Sequence, residues 1–279
     1  MEKLNQKLDE LRQFIADKGK NGVVVAFSGG VDSATLAAIC LQVIGDKTVA
    51  VIAQSPTYPH EELRNAKILA RQLDLKLYTM ITQELENEDF AKNPENRCYY
   101  CKKHFLQKLI AFAKDHKLGA VFEGTNFSDL SNHRPGFRAV QEVEGVYSPW
   151  VVCKFSKEEI RQVAKNLGLN VYDKPSQPCL ASRIPYNEAI TAERLSRIEQ
   201  AEAAIKEIVN AKQLRVRDHN GLARIEVGRD ERTLFLNPNV IDIIVTRLKR
   251  LGFKYITVDL EGYKSGSMVK TIDKRAKLS

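Results

Sequence analysis

The sequence predicts an α/β protein with a doubly wound parallel sheet, followed by a smaller α+β domain. Three observations carry this. From Val23 to Gly168, short β-branched runs alternate with longer segments of helical periodicity, the pattern of strands whose crossovers cover both faces of a parallel sheet. Between Asp173 and Pro185 the prolines Pro175, Pro178 and Pro185 interrupt regular structure. Beyond them the order changes to helix, hairpin, helix and strand. With 279 residues the chain can bury two cores, and the expected domains are 1–180 and 181–279.

The elements follow in order. Leu4, Leu8, Leu11 and Ile15 recur at helical spacing in a polar, partly acidic opening, which reads as an amphipathic helix and not a secretion signal. Val23–Phe27 is a strand and Val31–Ile44 a helix. The alternation continues with a strand over Thr48–Ala53, a helix over Pro59–Leu73, a strand over Leu75–Met80, a helix over Tyr99–Lys117 and a strand over Ala120–Glu123. Ser156 with Glu159 forms a capping box that opens a further helix, and Gly168 closes it. In the second domain Thr191 starts a helix reaching about Asn210. Leu214–Asp218 and Leu222–Val227 pair around His219-Asn220-Gly221, Val240–Leu251 is helical and Tyr255–Leu260 is a strand. The basic segment after Met268 is expected to be mobile.

Composition narrows the class. Charged residues make up 28% and no apolar run approaches the ~18 residues of a membrane helix, so a soluble, cytoplasmic chain without a membrane partner is expected. Residues 180–279 hold 19 basic and 13 acidic side chains, so six of the eight surplus positive charges fall there. Such a surplus suits nucleic acid or a small polyanion equally. No four basic residues are consecutive, and the surplus is scattered, which favours the small anion over nucleic acid.

The sharpest motif is Ser28-Gly29-Gly30-Val31-Asp32-Ser33, set between a buried strand and a helix. Its glycines allow a tight turn and close backbone approach, and amides at a helix N-terminus point at a bound anion. Ser28 and Ser33 add hydroxyls, and Asp32 can hold a metal ion bridging phosphates. No lysine follows the glycines, so this is not the loop of γ-phosphate kinases, nor is it the GxGxxG of hydride-transfer enzymes. It resembles the pyrophosphate motif of the PP-loop ATPase superfamily, whose members cleave ATP between the α and β phosphates and adenylate a substrate. That resemblance implies a PP-loop type of doubly wound sheet, and ATP with Mg2+ held by Ser28, Gly29, Gly30, Asp32 and Ser33. Gly124 and Asn126 follow a strand at the carboxyl edge, where ligands of such sheets bind.

Five cysteines, an odd number, argue against a disulfide framework. Cys40 and Cys153 sit in apolar surroundings and read as core residues. Cys98-Tyr99-Tyr100-Cys101 and the proline-bracketed Cys179 read otherwise. They suit a zinc site completed by His104, an iron–sulfur cluster with one open iron, or a redox pair with Cys179 as nucleophile.

Several stretches together are specific. Arg97–Lys103, Glu123–Asn126, Arg134–Gly136, Pro178–Tyr186, Arg215–Arg217, Ala223–Val227 and Asp259–Met268 resemble the LarE family of ATP-dependent sulfur transferases, in order, over about residues 20 to 268. The resemblance implies a role in building the nickel-pincer nucleotide of lactate racemase. A carboxylate of a pyridinium biscarboxylic acid mononucleotide is adenylated, and sulfur then displaces AMP to give a thiocarboxylate. Cys179 matches the sulfur-donor position. Cys98 and Cys101 match the extra pair of members carrying a 4Fe–4S cluster, and this version is favoured over sacrifice of the Cys179 sulfur. Arg183, Arg215, Arg217, Ser182 and Glu202 are assigned to the substrate, with Glu226 near substrate or a divalent ion and Arg134 and Arg138 as further contacts. Arg215 and Arg217 alternate onto one strand face. A solvated basic face and a surface salt bridge are the bland readings of these arginines and glutamates. His133 and Val269 replace the Tyr and Asn of the family pattern. The family also implies a homo-oligomer. A tRNA thiolase or an amide-forming ligase of the same superfamily is the competing activity, and a zinc-bearing nucleic-acid module the competing class.

Overall fold

The computed structural model describes residues 2–131, 135–175 and 177–264. The chain divides into two compact units. One comprises residues 1–84 and 96–177, the other residues 85–95 and 178–279.

The first unit begins with α1 (Glu2–Lys18), whose Leu11 and Ile15 are buried. The elements that follow are β1 (Val23–Ala26), α2 (Val31–Ile44), β2 (Thr48–Gln54), α3 (His60–Gln72) and β3 (Lys76–Ile81). The short helix α4 (Glu88–Ala91) lies in the excursion that belongs to the second unit. The first unit resumes with α5 (Arg97–Asp115), β4 (Ala120–Phe122), α6 (Pro135–Glu142), β5 (Val146–Tyr147), α7 (Pro149–Val152) and α8 (Lys157–Asn166). The five strands form one sheet in the order β3-β2-β1-β4-β5, with every pairing parallel. The predicted fold class is therefore the one observed.

The run Val23-Val24-Val25 shows why the sheet is covered twice. Val23 and Val25 pack in one apolar layer with Leu11, Leu36 and Ile160, while Val24 packs in the other with Leu106 and Leu109 of α5. A strand buried on both faces needs apolar residues at consecutive positions. The Ser156 capping box forms as expected, with Ser156 accepting from the Glu159 amide and Glu159 from the Ser156 amide. Helices α4, α6 and α7 and strand β5 were not predicted; of these, the two- and four-residue segments carry no readable period.

The second unit holds α9 (Ala192–Val209), β6 (Leu214–His219), β7 (Leu222–Val227), α10 (Pro238–Arg250) and β8 (Tyr255–Val258). Strands β6 and β7 form the expected hairpin, and β8 adds in parallel to β7. Thr191 caps α9 and Asn210 ends it in the left-handed region. Ala201, Ile205, Val216, Ile225, Ile244 and Leu248 form this unit's own core. The predicted strand over Tyr255–Leu260 ends at Val258.

Candidate active site

The Ser28–Ser33 loop leaves the carboxyl end of the central strand β1 and enters α2. Gly29 takes φ +64°, and a Cβ there would lie 2.6 Å from the Ala66 Cβ of α3. Only glycine turns the chain this tightly against α3. Ser33 Oγ accepts from the Ser28 amide at 3.1 Å and lies 3.1 Å from Ser28 Oγ, and the Tyr58 hydroxyl donates to the Ser28 carbonyl. Gly30 caps α2 without a side chain, so the first amides of a 14-residue helix are left for an anion. Gly124 approaches so closely that a Cβ would stand 3.2 Å from the Ser33 amide nitrogen. The Asn126 side chain donates to Asp32 at 3.3 Å. The residues Ser28, Gly29, Gly30, Asp32, Ser33, Gly124 and Asn126 are thus brought together.

Two adjoining cavities share Ser28, Asp32 and Tyr58. The larger, about 360 Å3, has apolar walls of Phe27, Ile52, Ala53, Phe105 and Leu106 and polar groups from Lys102, Glu123 and Asp129. Its size and mixed lining suit a nucleoside. The smaller, about 150 Å3, adds Lys157, Lys174 and Glu62. Lys157 pairs with Asp32 and Lys174 with Glu62. Glu123 is buried at the end of β4; burial alone would raise its carboxyl, but the Lys102 ammonium at 2.6 Å and the hydroxyls of Ser148 and Thr125 hold it below the ordinary range. The sequence assigned no role to Lys157, Lys174, Glu62 or Tyr58. They come from separate helices and loops, and no spacing along the chain links them to the glycine loop.

The cysteines sort by burial. Cys40 and Cys153 are buried, and burial pushes both thiols up, Cys153 to about 11, so neither is a ready nucleophile. Cys98 is exposed and Cys101 half-buried, three residues apart and hence neighbours on the first turns of α5. Cys179 is half-buried ahead of a short 3-10 turn over Leu180–Arg183 in the second unit. Each of these three is accessible, and a thiolate is the ligand type an iron–sulfur cluster takes. Among the described residues no three His, Cys, Asp or Glu side chains gather to hold a metal ion.

In the second unit Arg183 is 1% exposed and all three of its guanidinium nitrogens donate hydrogen bonds. It binds Glu202 through two bonds of 2.9 and 3.1 Å, and Nη1 donates to the carbonyls of Pro178 and Cys179 and to Ser182 Oγ. These bonds hold the Cys179 segment in place, and Glu202 anchors Arg183 and accepts from the Val216 amide. Arg217 donates to the Ser182 carbonyl at 3.0 Å and to Glu226 at 2.6 Å, and Arg224 reaches the other Glu226 oxygen at 3.0 Å. Arg215, Arg217 and Glu226 are buried, so neither a solvated basic face nor a surface salt bridge describes them. Burial and the neighbouring Arg183 charge lower the proton affinity of Arg215, against the pull of Glu202 and Tyr263. Arg138 is exposed on α6 and pairs with Glu142 at 2.8 Å. Arg134, His133 and Val269 lie outside the described residues.

No helix among the described residues is long and apolar enough to cross a membrane. A sequence profile of the NAD synthase family matches residues 3–97, the stretch that holds the glycine loop. An NH(3)-dependent NAD(+) synthetase of Pyrococcus horikoshii is 28% identical over 61% of this chain and 66% of its own length. Similarity extends much further in two other proteins. An uncharacterized protein of Synechocystis sp. is 38% identical over 97% of this chain and 100% of its own length. The pyridinium-3,5-bisthiocarboxylic acid mononucleotide synthase of Lactiplantibacillus plantarum is 34% identical over 90% of each chain. The first two matches cover only part of the chain, whereas the last two run through both units, and the chain belongs to the LarE family of ATP-dependent sulfur transferases within the PP-loop superfamily.

Proposed function

We propose that this enzyme converts a carboxylate of a pyridinium biscarboxylic acid mononucleotide to a thiocarboxylate. The observation that carries the reading is the linkage within the second unit: the segment bearing Cys179 is tied through Arg183 and the Ser182 carbonyl to the buried Arg217, beside Arg215. A thiol and groups suited to phosphate or carboxylate belong to one constellation.

ATP binds with its base in the larger cavity and its β and γ phosphates against Ser28, Gly29, Gly30 and Ser33. Asp32 and Asp129 are oxygen donors of the kind Mg2+ takes, and they would hold it there. A substrate carboxylate oxygen attacks the α-phosphorus, the bond to the β-phosphate oxygen breaks, and pyrophosphate leaves with the electron pair. The lysines Lys157 and Lys174 face its charge as it forms. The resulting acyl adenylate is attacked at carbon by sulfur, and AMP departs. Arg215 and Arg217 hold the substrate's anionic groups, with Ser182 in the same turn, and Arg183 and Glu202 set the turn's position.

Sulfur comes through Cys179. A 4Fe–4S cluster held by Cys98, Cys101 and Cys179 would supply a bound hydrosulfide and leave the protein unchanged. In the sacrificial route the Cys179 sulfur itself is lost. The substrate is a small mononucleotide and not a nucleic acid, the working assembly is a homo-oligomer, and the protein works in the cytoplasm.

Intact-mass spectrometry before and after turnover with ATP and substrate tests this. With the cluster route, anaerobic protein is brown, its polypeptide mass is unchanged, and Cys179→Ala loses the cluster while still releasing pyrophosphate. A loss of ~34 Da, the mass of one hydrogen sulfide molecule, identifies sacrifice, dehydroalanine being left at Cys179. Absence of ATP-dependent pyrophosphate release overturns the reading altogether.

A further inference from the structure

The cavity beside the glycine loop contains a carboxylate that the proposed chemistry does not use. Glu62, in the first turn of α3, lines the same wall as Ser28, Gly30, Lys157 and Lys174. Its side chain is 15% exposed. A carboxylate in a cavity that receives a polyanion opposes binding, and low exposure leaves the repulsion poorly screened. Its charge is felt nearby: the Tyr58 phenol is pushed up first by burial and then by Glu62. Unlike Asp32, which Asn126 also orients, Glu62 is bound by Lys174 at 2.7 Å.

Lys174 is mounted so that only its side chain need move. Arg161 of α8 donates through its two terminal nitrogens to the carbonyls of Tyr172 and Lys174, fixing the backbone around the lysine. The four-carbon stem then swings its ammonium about a fixed base. Lys157 is different, because its partner Asp32 belongs to the loop and is a candidate metal donor.

We propose that Lys174 and Glu62 form a latch that pyrophosphate opens and Glu62 closes. While pyrophosphate is bound, the ammonium leaves Glu62 for the phosphate oxygens. As pyrophosphate departs, Glu62 recaptures the lysine, so the resting pair weakens product binding and speeds release. Glu62 is thus a positioning residue acting through Lys174. The latch rests on the reading of the Ser28–Ser33 loop as the pyrophosphate site.

The test uses the full-length chain with inorganic pyrophosphate and Mg2+ as the probe, binding measured by calorimetry and release by stopped flow. Glu62→Gln keeps shape and removes the charge; it is expected to bind pyrophosphate about tenfold more tightly and release it correspondingly more slowly. Lys174→Met weakens binding about tenfold, and Lys174→Arg restores most of it. The deciding measurement is the double variant: with Lys174→Met in place, only the repulsion is left to remove, so Glu62→Gln tightens binding clearly less than it does with Lys174 present. Equal effects of Glu62→Gln in both backgrounds would mean plain repulsion and overturn the latch. Weaker binding in Glu62→Gln would make Glu62 a metal or ligand contact and overturn it too. Failure of the wild-type protein both to bind pyrophosphate and to release it from ATP would remove the adenylation reading and the latch with it, whereas normal release with unchanged Glu62→Gln removes the latch alone.

Discussion

Arg183 shows how one side chain separates stability from chemistry. Its bidentate partner Glu202 is buried, and removing the guanidinium leaves that carboxylate facing the Val216 amide without its counter-charge. Breaking such a pair costs more than replacing both members. Arg183→Met is expected to destabilise the second unit by about 3 kcal/mol, read as a lower urea midpoint. Adding Glu202→Leu should recover more than half of that loss. Sulfur transfer should stay impaired in the double variant, because the bonds from Arg183 to the Pro178 and Cys179 carbonyls are still missing. Recovery of both properties together would show that Arg183 serves stability alone. The sequence assigned Arg183 to the substrate, and its ties to Glu202 and the Cys179 segment were not legible, since the residue type that binds a phosphate is also the one that ties down a turn.

At the scale of elements, the two glycines of the loop should respond differently to the same substitution. Gly29→Ala meets both a left-handed φ and the Ala66 Cβ at 2.6 Å. The conformation alone costs about 1–2 kcal/mol, so this variant should melt at lower temperature and lose ATP binding. Gly30 has φ −82°, and a Cβ there meets only Ser28 Oγ, at 3.4 Å. Gly30→Ala should keep its melting temperature yet weaken ATP binding about tenfold, because the new methyl projects toward the cavity that Gly30 lines. Melting curves with and without ATP separate the two; equal loss of stability would contradict the difference in backbone geometry. Elements with a strong period were legible in the sequence: α2 spans the predicted Val31–Ile44, and the Ser156 capping box is formed. So was the glycine loop, because its residues are contiguous. Its cationic wall was not, because Lys157 and Lys174 reach the cavity from α8 and the loop beyond it.

For the whole molecule, the division of the chain depends on a segment without any motif. Residues 85–95 group with the second unit although the flanking β3 and α5 belong to the first. The fastening is Asn93, which is fully buried and adopts φ +58°. Its side chain donates to the Ile184 carbonyl at 3.3 Å and to that of Pro185 at 2.7 Å, and its own carbonyl accepts from the Asn187 amide at 2.9 Å. The Ile190 amide reaches Ala91 at 2.8 Å. Asparagine suits the position doubly, since it tolerates the left-handed region and brings two side-chain donors to buried carbonyls. Asn93→Ala removes the donors and retains the strained backbone, an expected cost of about 2–4 kcal/mol. The loss should appear locally before it appears globally: the Asn187 and Ile190 amides should exchange hydrogen faster, and limited proteolysis should cut within residues 85–95, while the buried amides of β1 keep their protection. Asn93→Gly relieves the backbone strain without restoring the donors, so it should recover part of the stability and none of the amide protection at Asn187. Full recovery in Asn93→Gly would mean that conformation, and not the two hydrogen bonds, fastens the segment.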